Sequence, residues 1–153
     1  MLNTQTVKDR VTDMARDQLG PAMKAFGFRR RGRVFWRDGT DVCHVVTIAM
    51  NRFGTRDESK FDVRLGVFWH RVEAVLQNPS VGKMPPPEYR CTFRIDLGRT
   101  MPNLPKLWWK VTSTTDYATL GLEVLDDLQQ YGLPWFEYRC QGPICDATWM
   151  YRL

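Results

Sequence analysis

Apolar and polar positions alternate along this chain with two distinct periods. Val7, Val11, Met14, Ala15, Gln18 and Leu19, then Ala22, Met23 and Phe26, recur at the helical spacing with charges between them, predicting a helix over 4–26. Thr4 or Thr6 is placed to cap it. Gly20-Pro21 should break or kink it, with Pro21 opening a second short piece, and Gly27 should end it. Period two takes over next. The run 28–37 turns at Asp38-Gly39, a hairpin signal, into 41–51, and Asn51 to Ser59 reads as a polar loop. In 60–69, Phe61, Val63, Leu65, Val67 and Trp69 alternate with Lys60, Asp62, Arg64, Gly66 and Phe68. A short helix "RVEAVLQN" and a proline-rich loop "PSVGKMPPPE" follow. In 89–97, Tyr89, Cys91, Phe93, Ile95 and Leu97 stand opposite Arg90, Thr92, Arg94 and Asp96. "LWWKV" at 107–111 suits a short further strand. A helix over 115–131 starts under Thr114 or Thr115, with Asp116 in its first turn and Leu120, Val124, Leu128 and Tyr131 as its stripe. Gly132 should stop it, leaving Pro134-Trp135-Phe136 as one further turn.

Clean alternation in several runs argues for strands with one face on helices and one face open. The expected fold is α+β: an antiparallel four- to five-stranded sheet with helices packed on one face, in the order α-β-β-β-(short α)-β-(β)-α. With 153 residues the chain reads as a single domain over 1–153, long enough to bury a core without metals or disulfides. The tail 139–153, "RCQGPICDATWMYRL", is too apolar at Trp149, Met150, Tyr151 and Leu153 for a free end, so it should pack on the domain or serve as an interface. No apolar run approaches the ~18–20 residues of a membrane span. The start, "MLNTQTVKDR", lacks the basic-then-apolar layout of a signal peptide, so a cytoplasmic, membrane-free protein is expected.

Charge sharpens this picture. The net charge is +5, and residues 28–37 alone hold five arginines and no acid. Residues 111–138 carry Asp116, Glu123, Asp126, Asp127 and Glu137 with no Lys or Arg, so the chain is charge-polarised. Period two applied to 28–37 sends Phe28, Arg30, Gly32, Val34 and Trp36 one way and Arg29, Arg31, Arg33, Phe35 and Arg37 the other. Only the second set suits an open face, because buried unpaired arginines cost too much. Arg64 and Arg94 share that face by the parities above, with Asp62 and Asp96 beside them. Phe68 and an outward Trp108 could sit among the arginines, although the Pro102 and Pro105 loop could instead cover Trp108. Three readings follow: a solvated face of ion pairs, a protein-binding face rich in Arg and aromatics, or a nucleic-acid platform. Neither "RRGRVFWR" nor "RLGVFW" fits the RNA-recognition consensus.

Candidate chemistry is sparse. Cys43 and Cys91 lie in strand-like runs as small hydrophobes, and Cys140 and Cys145 lack a second pair at metal-site spacing, so no metal or cofactor is expected and the redox state of the latter two stays open. His44 and His70 are tied by spacing to no nucleophile. Asp62 and Asp96 could form a carboxylate pair, but flanking arginines should lower their pKa values and spoil an acid. No phosphate loop or nucleophile elbow occurs, so no catalytic residue is assigned.

In order along the chain stand "FGFRRRGRVFWRDG", "VRLGVFW", "EYRCTFRIDLGRTMP", "PKLWWKV" and "EVLDDLQQYGLPWFE". Together, over about residues 19 to 138, they resemble the bacterial family catalogued as domain of unknown function 4304. The resemblance implies a small stand-alone bacterial α+β protein and supplies no activity or catalytic residues. Small families of this type are often immunity proteins. The leading expectation is therefore a non-catalytic interaction protein, an immunity protein that neutralises a toxin with an acidic contact surface. Its partner-binding candidates are Arg29, Arg31, Arg33, Phe35, Arg37, Asp62, Arg64, Arg94, Asp96 and Trp108. A nucleic-acid-binding module and a small enzyme are the alternatives.

Overall fold

The computed structural model describes residues 4–102 and 107–140. The apolar tail and Cys145 lie outside the described residues, as do the side chains of Arg139 and Cys140. The order is α1 (Val7–Met14), α2 (Gly20–Ala25), β1 (Arg29–Arg31), β2 (Val34–Asp38), β3 (Val42–Met50), β4 (Glu58–Trp69), α3 (His70–Val75), β5 (Phe93–Asp96), β6 (Trp109–Thr112), α4 (Tyr117–Asp127) and α5 (Leu133–Cys140). This is the expected α+β class with six strands, because the run 28–37 forms two of them.

Thr6 caps α1, its hydroxyl accepting from the Asp9 amide while the Asp9 carboxylate accepts from the Thr6 amide. Gly20-Pro21 does not break the helix. A π-helical turn over Ala15–Leu19 joins α1 to α2, and a second over Leu128–Gly132 joins α4 to α5 across the expected stop at Gly132. Each wide turn lies just ahead of a proline, Pro21 or Pro134. A proline lacks the amide of a regular turn and its ring strikes the carbonyl four residues back, here Asp17 or Gln130. Both carbonyls sit inside the widened turns, where bonds reach five residues and make room. A row of buried residues then runs at every fourth position, Val7, Val11, Ala15, Leu19 and Met23 in the first rod and Leu120, Val124, Leu128, Gly132 and Phe136 in the second, with Met14 and Gly121 buried beside it. Gly27 does end α2, with the Phe28 amide reaching back to the Met23 carbonyl and the Gly27 amide to that of Lys24. Asp116, rather than Thr114 or Thr115, caps α4 by accepting from the Thr119 amide.

The sheet is antiparallel, in the order β1-β2-β3-β4-β5, with β6 also on β4. The long β4 carries β6 on its first part, Glu58 to Phe61, and β5 on its second, Arg64 to Val67, along the same edge. Asp62 and Val63 fall in the gap. The sheet edge is therefore split. The run 89–97 is strand only at Phe93–Asp96, with single helical turns over Glu88–Arg90 and Leu97–Thr100 on either side.

Arg33, Phe35 and Arg37 are not on the open face. Gly32, at φ 59°, and Arg33 form a two-residue turn between β1 and β2, and the pairing runs Arg29 opposite Trp36, Arg30 opposite Phe35 and Arg31 opposite Val34. A hairpin inside the run reverses the parity of everything after it. Phe35 accordingly joins the helix-side core with Phe28, Val46, Ile48, Phe61, Val63 and Leu65. Arg33 donates to the Ile48 carbonyl at 3.1 Å and to the Thr12 hydroxyl of α1 at 3.2 Å, and burial lowers its pKa. Arg37 donates to the Phe26 carbonyl at 2.8 Å and to Nδ1 of His44 at 2.9 Å, and its guanidinium lies 4.6 Å from the Phe28 ring centre. His44 stacks on Phe136 at 4.5 Å. Burial, and then the Arg37 charge, push its pKa down to about 4, so a neutral imidazole accepts the arginine's hydrogen bond.

Nor is the outer face wholly open. Trp36, Cys43, Val45 and Phe68 form a second, smaller cluster there, with Val34 and Cys91 against it. The segment from α3 to Cys91 folds over this end. Buried Glu73 fastens it, one oxygen accepting from Thr92 and the other from Asn78, both at 2.8 Å. Gly66 lets the segment close: a Cβ there would lie 2.7 Å from the Cys91 sulfur.

Candidate functional site

Two cross-strand rows build the outer face. One runs Arg31, Val34, Thr47, Arg64, Asp96, and the next Arg29, Trp36, Val45, Gly66, Arg94. Arg29 and Arg31 thus share a face with Arg64 and Arg94, but three strand spacings, about 14 Å, separate Arg31 from Arg64. At the β1 edge Arg31 lies over the Trp36 ring, 5.7 Å from its centre. The covered cluster fills the middle. At the far side, the split edge opens a cleft of about 480 Å³ lined by Asp62, Arg64, Glu88, Arg94, Ile95, Asp96, Arg99 and Trp108. That size suits a ligand group or a partner side chain. Five of these residues, Asp62, Arg64, Arg94, Asp96 and Trp108, are those selected by strand parity. Glu88 and Arg99 sit in helical turns, where period two gives no indication of direction.

Trp108 is outward and 40% exposed, while Trp109 and Val111 are buried, as the alternation of "LWWKV" predicts. The Lys60 ammonium lies 4.6 Å from the centre of the Trp108 ring. Among the described residues the tryptophan thus borders the cleft with a cation on it. Residues 103–106, including Pro105, lie outside the described residues.

Asp62 is the anomaly of the site. It is 5% exposed, and Oδ2 accepts from Arg64 Nε at 3.0 Å, while its buried Oδ1 has no hydrogen-bond partner among the described residues. Burial raises its pKa; the Arg64 hydrogen bond and charge oppose this, and Asp96 adds to it. The expected lowering by flanking arginines is thus overturned, because desolvation outweighs a single hydrogen-bonded guanidinium. Glu88 is raised as well, by burial first, against the pull of Arg94 and Arg64. Of the ion pairs that a solvated face would carry, Arg64–Asp62 forms, while among the described residues Arg94 makes none with Asp96. Arg94 donates instead to the Tyr89 carbonyl at 3.4 Å, and Arg99 stands 3.7 Å from Asp96.

Elsewhere the chemistry is structural. His70 opens α3 and meets Asp38 at 2.8 Å. Cys43 and Cys91 are free thiols pushed up by burial, Cys43 to about 12, which suits inert core positions. Among the described residues no group of three or more His, Cys, Asp or Glu is placed to hold a metal, and no helix is long and apolar enough to cross a membrane.

Compared with protein-family models, residues 19–138 match the one described as "Domain of unknown function (DUF4304)". No curated protein and no solved structure matches the chain.

Proposed function

The chain belongs to the DUF4304 family, and from that premise we propose that it is a non-catalytic interaction protein, an immunity protein that binds and neutralises a cognate antibacterial toxin. The observation that supports this reading is the gathering of Arg64, Arg94, Arg99 and Trp108 around one cleft on a sheet face that also carries Arg29 and Arg31. Arginine and tryptophan dominate interface hot spots, and interleaved charges select partners more than they add affinity. A nucleic-acid platform is disfavoured. Arg33 and Arg37 are used on the helix side, and a phosphate chain crossing the cleft would meet Asp62, Glu88 and Asp96.

The test is affinity capture from the native host with the wild-type chain and with an Arg31→Glu, Arg94→Glu variant, which leaves the Arg64–Asp62 pair intact. A stoichiometric protein captured by the first and lost by the second, at unchanged melting temperature, supports the reading. Full capture by the variant sinks the face assignment, and nuclease-sensitive material points to nucleic acid instead. A second reading, a small enzyme, draws on two carboxyls of raised pKa in one cleft, a pattern shared by general acids. A small molecule that stabilises the wild-type chain and is turned over by it, but not by a Glu88→Gln variant, would favour that reading.

A further inference from the structure

We infer that the split-edge cleft is a seat for one carboxylate group, presented by an acidic side chain of the protein partner and gripped by the guanidinium forks of Arg64 and Arg94. The inference rests on the interaction reading and names the chemistry of what that face holds.

The donors are there and largely unused. Arg64 commits Nε to Asp62, and its two terminal nitrogens bond nothing among the described residues. Arg94 makes one long bond to the Tyr89 carbonyl and Arg99 one loose contact to Asp96. A planar fork with open nitrogens is the natural partner of a carboxylate, which it holds by two parallel bonds. The acids already in the cleft do not fill this role. Asp62 is more than nine-tenths buried, with Oδ2 on Arg64 and Oδ1 sealed from solvent without a donor among the described residues. A carboxyl so placed resists its charge, and Glu88, desolvated beside it, does too. Three guanidiniums thus face three carboxyls, two of which burial biases toward the neutral form, so the balance of the cleft turns toward positive as pH falls.

The same inventory favours a monoanion over a phosphate dianion, which Asp96 and Glu88 would repel more strongly. A protonated Glu88 can also share its proton with an incoming carboxylate, in a short O–H···O⁻ bond. Trp108 and Ile95 supply apolar walls for the methylene stem of the arriving side chain. The charged groups facing Asp62 and Glu88 are Arg64 on β4, Arg94 and Asp96 on β5, Arg99 in the following turn, and Lys60 beyond Trp108.

The probe is the capped tripeptide acetyl-Gly-Glu-Gly-amide, titrated into ¹⁵N-labelled protein by NMR, alongside its glutamine counterpart and inorganic phosphate. The glutamate peptide should move the Arg64 and Arg94 side-chain signals and the Trp108 indole signal saturably. Its affinity should rise as pH falls, down to about 4.3, where the peptide carboxyl itself takes up a proton. Arg64→Gln with Arg94→Gln should abolish the shifts, and Arg94→Gln alone, which leaves the Arg64–Asp62 pair intact, should weaken them without changing the melting temperature. Equal binding of the glutamine peptide, tighter binding of phosphate, or no saturable shift at any pH overturns the seat. Failure of this titration beside a partner still captured removes the seat and leaves the interaction reading standing. Carboxylate binding with no protein captured does the reverse.

Discussion

Asp62→Asn should make the protein more stable at neutral pH. The side chain keeps its shape and can still offer an oxygen to Arg64, but the buried charge is gone. In the wild-type chain one carboxylate oxygen is sealed from solvent without a donor among the described residues. Such a stranded group costs about 1–3 kcal/mol, and more when charged. The amide leaves its own Nδ2 poorly paired, so the net gain is expected near the lower end, about 1 kcal/mol. The sign of the pH dependence follows from linkage. The folded chain holds the Asp62 proton more tightly than the unfolded one, whose value is near 3.8. The contribution of Asp62 is thus fully present below that value and is lost as pH rises through the raised folded value. Urea unfolding at pH steps from acid to neutral should show wild type and variant converging in acid and separating above it. In the peptide titration the variant should also bind the carboxylate with a flatter pH profile. A variant less stable by the same amount at every pH would refute the reasoning, showing that the Arg64 pair outweighs the burial cost.

His44, with a folded pKa of about 4 against an ordinary 6.5, works in the opposite direction: its stability is present above 6.5 and lost as pH falls toward 4. The full swing is about 3 kcal/mol, and an NMR titration of the ring that centres near the ordinary value would contradict it. Gly66→Ala should destabilise by about 1–3 kcal/mol, because the new Cβ meets the Cys91 sulfur. In a double-mutant cycle measured by denaturation, Cys91→Ala should return part of that loss; strict additivity would show that the covering segment does not close there.

Strand parity found much of the site because β4 is unbroken and two-sided. Phe61, Val63, Leu65 and Val67 go to the core, so Asp62 and Arg64 must go outward, and Asp96 and Arg94 follow by register opposite Arg64 and Gly66. The hairpin at Gly32-Arg33 escaped notice because it carries none of the usual Asn-Gly or Asp-Gly signals. One sign of it was present: a phenylalanine, Phe35, left among four arginines on a supposedly open face. The cleft itself was not legible. It depends on β5 and β6 leaving β4 uncovered at Asp62, a gap with no local pattern in the sequence. The depth of Asp62, and with it the reversal of its pKa, follows from that gap. Glu88 and Arg99 were missed because they stand on single helical turns beside the strand.

The wide turns ahead of Pro21 and Pro134 solve a problem of phase. Side chains four residues apart on a regular helix advance about 40° around the axis per step, so a row of five would wander by about 160°. Such a row would leave a stripe about 100° wide and carry its last member off the sheet. A turn that takes one extra residue turns the count back midway, as a leap day returns a calendar to the season. Phe136 reaches His44 for this reason, and with it the Arg37 clasp that closes the core. Removing one residue from Leu128–Gly132 would set the Pro134 ring back against the carbonyl four residues before it and point Phe136 away from the ring it covers. In this fold a proline after a run of apolar fourths marks a correction in the middle of a helix and not its end.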